Sequence, residues 1–579
     1  MSQFFDLHFH PLGKHFLGEF NPVKRETAAY RRAVRIPWLG RQTDRLIGKI
    51  LNSQACVDQC LESGVSLGVA TVVAPELVFA SRKGLLCLLE FDLFKKDVIA
   101  PLDNEIFEFI RKERNYNYLF EQECKFYLWA NSYTQKDRPE PAIHLLNRKS
   151  GQLKLEKDKL NLVLAIEGGH NLYRNVGIMN ILASPVDVVQ MYKKNDEEGK
   201  RWDFLYLTLT HLSHISEQPL CNHAFGFKLV KGLAEAFPQV NGLLPLGKEV
   251  INASMTGDHP ILIDVKHMSL KARQDFYEHR REQLRADNSR QHSPKGLGKG
   301  NGTEKRYPKG WPILATHVGV TGYPVRDMIE YIDDVSIDRE VRQCVRLKMK
   351  RVKAGKIPEG LGFDNVHFNP TTINLCDDDI EEITKSDGLI GISLDARILG
   401  YEWAKKRIFN NTYDYIQLNE FQYLFPALCD NLSLSPTVLD DEPLEEVIEL
   451  NEKFPGFADR KKREAYLFCF NVLHVVAVIN SMPAEDRHHK SGWDFLCIGS
   501  DYDGLIDSIK MANTAHSLPA FKDHVRKIFH KAEKAYKEQF DYDGQLSLLP
   551  DTRQDLDSYL DKLFYGNGSG FLKRWWGIK

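Results

Sequence analysis

The chain carries almost no net charge. Its 77 Lys and Arg stand against 79 Asp and Glu over 579 residues, a formal −2. That balance excludes a dedicated nucleic-acid binder, which needs concentrated basic surface to neutralise phosphates. The ten cysteines show no paired ligand spacing, which excludes a cysteine-based zinc module and leaves Cys56 and Cys60 as neighbours on one helix face. Reduced thiols are expected. No apolar run approaches the length of a membrane span, and a strand pattern starting at Phe4 leaves no room for a leader. A cytoplasmic location without membrane contact follows as an expectation. Gly and Pro are at ordinary levels, so nothing points to a disordered chain. One local excess of basic charge, from Lys271 to Lys309, has arginines that are not regularly interleaved with aromatics on which bases could stack. It reads as a solvated, mobile loop.

Against these absences stands Asp6-Leu7-His8-Phe9-His10. A strand turns alternate side chains to opposite faces, so His8 and His10 project the same way and can grip one cation through imidazole nitrogens.

Eight short apolar, β-branched runs bounded by turn residues follow one another along the chain: Phe4–Phe9, Ser66–Val73, Leu162–Ile166, Phe204–Leu209, Ile261–Val265, Ile313–Ala315, Leu389–Leu394 and Phe495–Ile498. Helical patterns or long connections separate them, which predicts an α/β fold with parallel strands, a (β/α)8 TIM barrel with large insertions in its loops. Polar ligand types sit at the ends of these runs: His8 and His10 at the first, Glu167 at the third, His211 at the fourth, His267 at the fifth, His317 at the sixth and Asp501 at the eighth. In such a barrel the strand C-termini converge on one catalytic face.

Four histidines and two carboxylates suffice for two divalent cations, with zinc the first choice and Glu167 placed to bridge them. Coordination would lower the pKa of a bridging water from about 15.7 towards about 7, giving a hydroxide nucleophile at neutral pH. Asp501 suits proton transfer to the leaving group, and His211 suits polarisation of a scissile carbonyl.

The segments Ala165-Ile166-Glu167-Gly168-Gly169-His170, Tyr206-Leu207-Thr208-Leu209-Thr210-His211, Leu262-Ile263-Asp264-Val265-Lys266-His267-Met268-Ser269, Ala315-Thr316-His317 and Gly499-Ser500-Asp501-Tyr502-Asp503-Gly504, in that order, resemble the amidohydrolase-type metallohydrolases. Within that group the resemblance is to the membrane (renal) dipeptidases and their bacterial relatives, and it runs the length of the barrel. It implies that His8, His10, Glu167, His267 and His317 bind two zinc ions with the glutamate bridging. It further implies that Asp501 is a metal-linked catalytic carboxylate and that His211 contacts substrate. Tyr565-Gly566-Asn567 through Lys573-Arg574 resembles, more weakly, the closing glycine-asparagine segment of that family.

Two departures stand out. Dipeptidases of this type usually carry His-x-Asp on the first strand, whereas this chain has His8-x-His10; and they place an arginine after the sixth-strand histidine to bind the substrate carboxylate, where Arg326 is the candidate here. Lys266, next to a metal histidine, is expected on the opposite face with no catalytic role. His474 reads as a core or interface histidine on an apolar helix, while His170, His214, His223 and Asp395 fall at loops around the predicted site.

The whole chain is read as a single barrel domain. A barrel averages about 250 residues, so the excess must lie in its connections; it gathers near 75–160, 271–310, 325–385 and 400–465, the last a candidate cap. The acidic run Asp440–Glu446 in that last stretch reads as a solvated helix start. The expected activity is amide hydrolysis of a dipeptide or related small acyl-amino acid, a small-molecule substrate. The alternatives are lactone hydrolysis or deamination at the same centre, or a degenerate barrel used as an interaction scaffold. The sequence leaves self-association open.

Overall fold

A computed structural model describes residues 3–19, 21–27, 30–35, 52–80, 103–134, 140–176, 181–195, 201–214, 219–226, 234–291, 310–338, 341–357, 365–400, 413–434, 457–540, 548–550 and 552–579. Eight strands lie side by side in chain order: β1 Phe4–Phe9, β2 Val65–Val72, β3 Leu160–Glu167, β4 Phe204–Thr208, β5 Leu262–Asp264, β6 Ile313–Val318, β7 Leu389–Ile392 and β8 Leu496–Ile498. All seven pairings between successive strands are parallel. Just past β8 the chain returns to β1, where the Asp501 amide donates to His8 O and the His10 amide to Tyr502 O, both at 2.9 Å. The ring is closed, and the fold is a (β/α)8 barrel.

These strands form where they do because their residues tolerate burial on both faces. Every residue of β1, β3, β4 and β6 is buried, as parallel strands sandwiched between a barrel interior and covering helices require. The other end of the barrel is closed by the C-terminal segment. Asn567 donates through Nδ2 to Trp493 O and Leu496 O at 2.6 and 2.7 Å. A Cβ on neighbouring Gly568 would fall 2.0 Å from the Phe5 ring, so glycine lets the last helix, Asn567–Trp575, seat directly on β1.

The connections carry structure of their own. After β6 a second sheet is built from Ile332–Ile337, Cys344–Met349 and Tyr413–Gln417, paired antiparallel, with Ser433–Leu434 parallel at its edge. The helix Phe457–Ser481 contains a stretch, Lys461–Ser481, long and apolar enough to cross a membrane; 89% of its most apolar window is buried inside the protein. The sequence reading had found no run of that length. His474 lies on this helix as a core histidine, its Nδ1 2.8 Å from Tyr536 Oη and its Nε2 2.8 Å from Asp377 Oδ1.

The basic stretch corrects another expectation. Its first half is helix, Leu270–Gln291, and two of its arginines are buried anchors. Arg273 bonds Asp379 and the carbonyls of Met268, Thr372 and Asn374, and Arg280 bonds the Trp311 carbonyl. Charge density had suggested solvent, but guanidinium groups satisfy buried carbonyls at the ends of neighbouring elements. Residues 292–309 of that stretch, and the acidic run Asp440–Glu446, lie outside the described residues. The nine described cysteines, Cys56 and Cys60 among them, are free thiols.

Candidate metal centre

The C-terminal ends of the strands bring His8, His10, Glu167, His211, His267, His317 and Asp501 together, with Glu167 at the middle. Its Oε1 lies 3.4 Å from His8 Nε2, 3.5 Å from His211 Nε2, 3.4 Å from His267 Nε2 and 3.8 Å from His317 Nε2. Its Oε2 lies 3.5 Å from His10 Nε2. Asp501 Oδ1 stands 3.7 Å from both His8 Nε2 and His10 Nε2. Separations near 3.4 Å are those of atoms that share a cation about 2.1 Å from each.

The hydrogen bonds on the far side of each ring decide which nitrogen faces inward. His8 Nδ1 lies 2.9 Å from Tyr206 Oη, and that hydroxyl donates onward to Leu7 O. His317 Nδ1 lies 2.9 Å from Thr316 Oγ1, which donates to Asp264 Oδ2 at 2.7 Å. Each hydroxyl spends its own proton outward, so each histidine must hold its proton on Nδ1 and turn a bare Nε2 lone pair to the centre. The Nε2 atoms of His8 and His10 are buried with no hydrogen-bond partner among the described residues. His267 Nε2 and His317 Nε2 face each other at 3.1 Å, a contact that repels unless a proton or cation lies between. The donor set therefore fits divalent metal: imidazole nitrogens and carboxylates buried around one central point.

Backbone strain concentrates here. His267 and Asp501 have φ of 67° and 61°, the left-handed region that costs a non-glycine residue of order 1 kcal/mol and persists only where the surroundings enforce it. For Asp501 the enforcing contacts are its own amide bond to His8 O and the neighbouring Ser500, whose amide and hydroxyl donate to Asp6 at 2.9 and 2.5 Å.

Burial opposes ionisation of Glu167, yet the His8 and His211 rings hold it well below the ordinary carboxylate range. His10 is disfavoured as a cation by burial, but Asp501 and Glu167 overcome this and push it up to about 9. Burial takes His267 down to about 3, with the His211 and Lys266 charges adding to it.

Strand alternation does not settle the side of Lys266. β5 ends at Asp264, so strand alternation does not extend to the turn at 265–268, and the positive φ of His267 redirects the chain. The lysine is 2% exposed, its Nζ has no hydrogen-bond partner among the described residues, and the charges acting on it are Asp501, Asp264, Asp395 and Glu167. Burial pushes its ammonium down to about 8.

Other expected residues lie outside the cluster. Arg326 has a side chain 84% exposed and pairs at 3.5 Å with its neighbour Asp327. His170 bonds Ala74 O, and Asp395 is clamped by the Arg397 guanidinium. His223 is buried with Nδ1 3.0 Å from Ala224 O. His214 lines a small cleft beside His211, with His170, Tyr173, Leu209, Leu220 and Cys221.

No family model matches the chain, and no curated protein matches it. Solved structures similar to it at low identity include the following three. One, described as the dipeptidase AC, a metallo-peptidase, is 12% identical with a TM-score of 0.41 over 100% of this chain and 99% of that one. A metallo-peptidase from Rhodobacter sphaeroides, solved with a phosphinate mimic of the dipeptide L-Ala-D-Ala, is 13% identical with a TM-score of 0.42 over 99% of both chains. The probable dipeptidase PvdM from Pseudomonas aeruginosa is 12% identical with a TM-score of 0.41 over 100% of this chain and 95% of that one.

Several residues of the site escaped sequence reasoning. Glu76, fully buried, follows β2 and accepts from His211 Nδ1 at 3.1 Å; Pro75 before it reads as a loop, so the second strand had no polar end to offer. Asp6 shares the face of His8 and His10 by the same two-residue period that exposed them, and that signal was present. Tyr206, Asp264 and Thr316 act behind the histidines, where residue type alone does not separate them from core polar groups.

Proposed function

We propose that the protein is a binuclear metal-dependent hydrolase, with zinc as the metal, that cleaves the amide bond of a dipeptide or related small acyl-amino acid. The observation that supports it most directly is the pair of buried Nε2 atoms of His8 and His10 converging on Glu167, neither with a hydrogen-bond partner among the described residues. His8, His10, Glu167 and Asp501 would hold one ion, and Glu167, His267 and His317 the other. Two ions held there would supply Lewis-acid polarisation of the substrate carbonyl and would acidify a bound water.

The chain's own residues do the rest. Asp501, whose carboxylate touches the first-strand histidines, accepts the nucleophile's proton and delivers it to the departing amine. His211 turns Nε2 to the centre and donates from it to the oxygen on which charge develops. With Arg326 exposed, the carboxylate that dipeptides and acyl-amino acids share must be received elsewhere or be dispensable.

The test is metal analysis of the purified protein joined to a screen of dipeptides, L-Ala-D-Ala included, acyl-amino acids, lactones and deaminase substrates. Two equivalents of metal with amide cleavage support the reading. Full metal with lactone or nucleobase turnover moves the protein to another reaction of the same centre, and no stoichiometric metal removes the hydrolase altogether.

A further inference from the structure

The His211 ring is held from behind by a single carboxylate. Glu76 Oε1 lies 3.1 Å from His211 Nδ1 and accepts the Leu212 amide at 3.2 Å, while Oε2 accepts the Ser213 hydroxyl at 2.6 Å. Three consecutive residues after β4 thus converge on one side chain that is wholly buried and comes from the turn after β2. The carboxylate is ionised despite that burial, because the charge and hydrogen bond of His211, with help from His170 and Ser213, bring it down to about 2. An ionised carboxylate can only accept, so the proton between the two groups belongs to His211 Nδ1. The opposite nitrogen then points to the centre, 3.5 Å from Glu167 Oε1.

We propose that Glu76 is a positioning residue: it holds the Nδ1–H of His211 and so fixes the ring, leaving the other N–H, on Nε2, to meet the reacting group. A loop anchor would need only the Leu212 and Ser213 contacts. The His211 bond is the part that bears on chemistry, since a ring free to rotate or exchange tautomers presents the wrong atom for part of the time. Carboxylates of this kind behind a functional imidazole typically matter by about 10- to 100-fold.

The kinetic part of this inference rests on the proposed hydrolysis, but the tautomer does not, and that separates the two. Selectively ¹⁵N-histidine-labelled full-length protein, loaded with zinc, is compared with Glu76→Gln and Glu76→Asp, with His211 assigned through His211→Asn. The expected spectrum of the wild type shows the His211 proton on Nδ1. A spectrum with the proton on Nε2 alone overturns the proposal without any variant having to fold. In Glu76→Gln the His211 signals shift towards a tautomer mixture and kcat falls about 10- to 100-fold with KM within about twofold, while Glu76→Asp, which keeps the charge, recovers part of the loss. Unchanged His211 signals in a folded Glu76→Gln overturn the proposal, as does a loss of rate that merely tracks a loss of thermal stability. If the wild type hydrolyses nothing in the substrate panel, the hydrolase reading fails, and the tautomer comparison alone decides the role of Glu76.

Discussion

The main-chain amide of Asp501 donates to the carbonyl of His8 at 2.9 Å. The two residues therefore do more than face a common centre: their backbones form the seam that closes the barrel, so site geometry and barrel closure cannot vary independently.

Replacing Asp501 by Asn tests its chemistry with little damage to that seam. Asparagine tolerates the left-handed φ of 61° and keeps the amide donor. Turnover should fall by about 10² to 10⁴-fold, the usual worth of a proton-transfer group, with the melting temperature nearly unchanged. Wild-type kcat in this variant would remove Asp501 from the mechanism.

Glu167→Gln should lower occupancy of both metal positions, since one carboxylate contacts His8, His211, His267 and His317 through one oxygen and His10 through the other. Elemental analysis after dialysis is the readout. Two full equivalents in the variant would show that Glu167 does not bridge.

Tyr206→Phe removes the hydroxyl that meets both His8 Nδ1 and Thr71 Oγ1 at 2.9 Å. The His8 ring then loses one of the bonds that select its inward-facing nitrogen, and metal affinity should weaken by about 10- to 100-fold. Competition with a chromogenic chelator measures it; an unchanged affinity would mean that Thr316, 3.2 Å from the same nitrogen, suffices.

Metal uptake should also release a proton from His10. Burial alone would discharge that ring, but Asp501 and Glu167 raise it to about 9 in the metal-free protein, so at neutral pH it is an imidazolium that an ion must displace. Affinity should accordingly rise with pH up to about 9 and then level off. Zinc titrations by calorimetry in buffers of different ionisation enthalpy read the number of protons released, and zero at pH 7 would show that His10 is already neutral.

How far the sequence carried differs by element. The eight barrel strands were legible because a strand buried on both faces must be a continuous apolar run, and runs such as Leu162–Ile166 or Leu389–Leu394 have turn residues on either side. The residues just beyond those runs were legible for the same reason, as His211, His267 and Asp501 illustrate. What was hidden depends on backbone direction or on distant contacts. The side taken by Lys266 was not legible because the three-residue β5 ends at Asp264 and alternation does not extend into a turn with positive φ. Glu76 was missed because its partner His211 is 135 residues away. The second sheet was unforeseen since strands such as Ile332–Ile337 and Cys344–Met349 mix exposed charge with buried apolar residues and lack the clean apolar run.

The seam between β1 and the segment after β8 has a bearing on how the molecule is made. Asp6 and Ser500, joined across it, are 494 positions apart, so on the ribosome the histidine-bearing strand emerges first and must wait with an open edge for its last neighbour. Contacts this distant in sequence are slow to form and expose a strand edge meanwhile. The polypeptide should therefore depend on holding chaperones during synthesis, and the metal site should become competent only in the final step of folding.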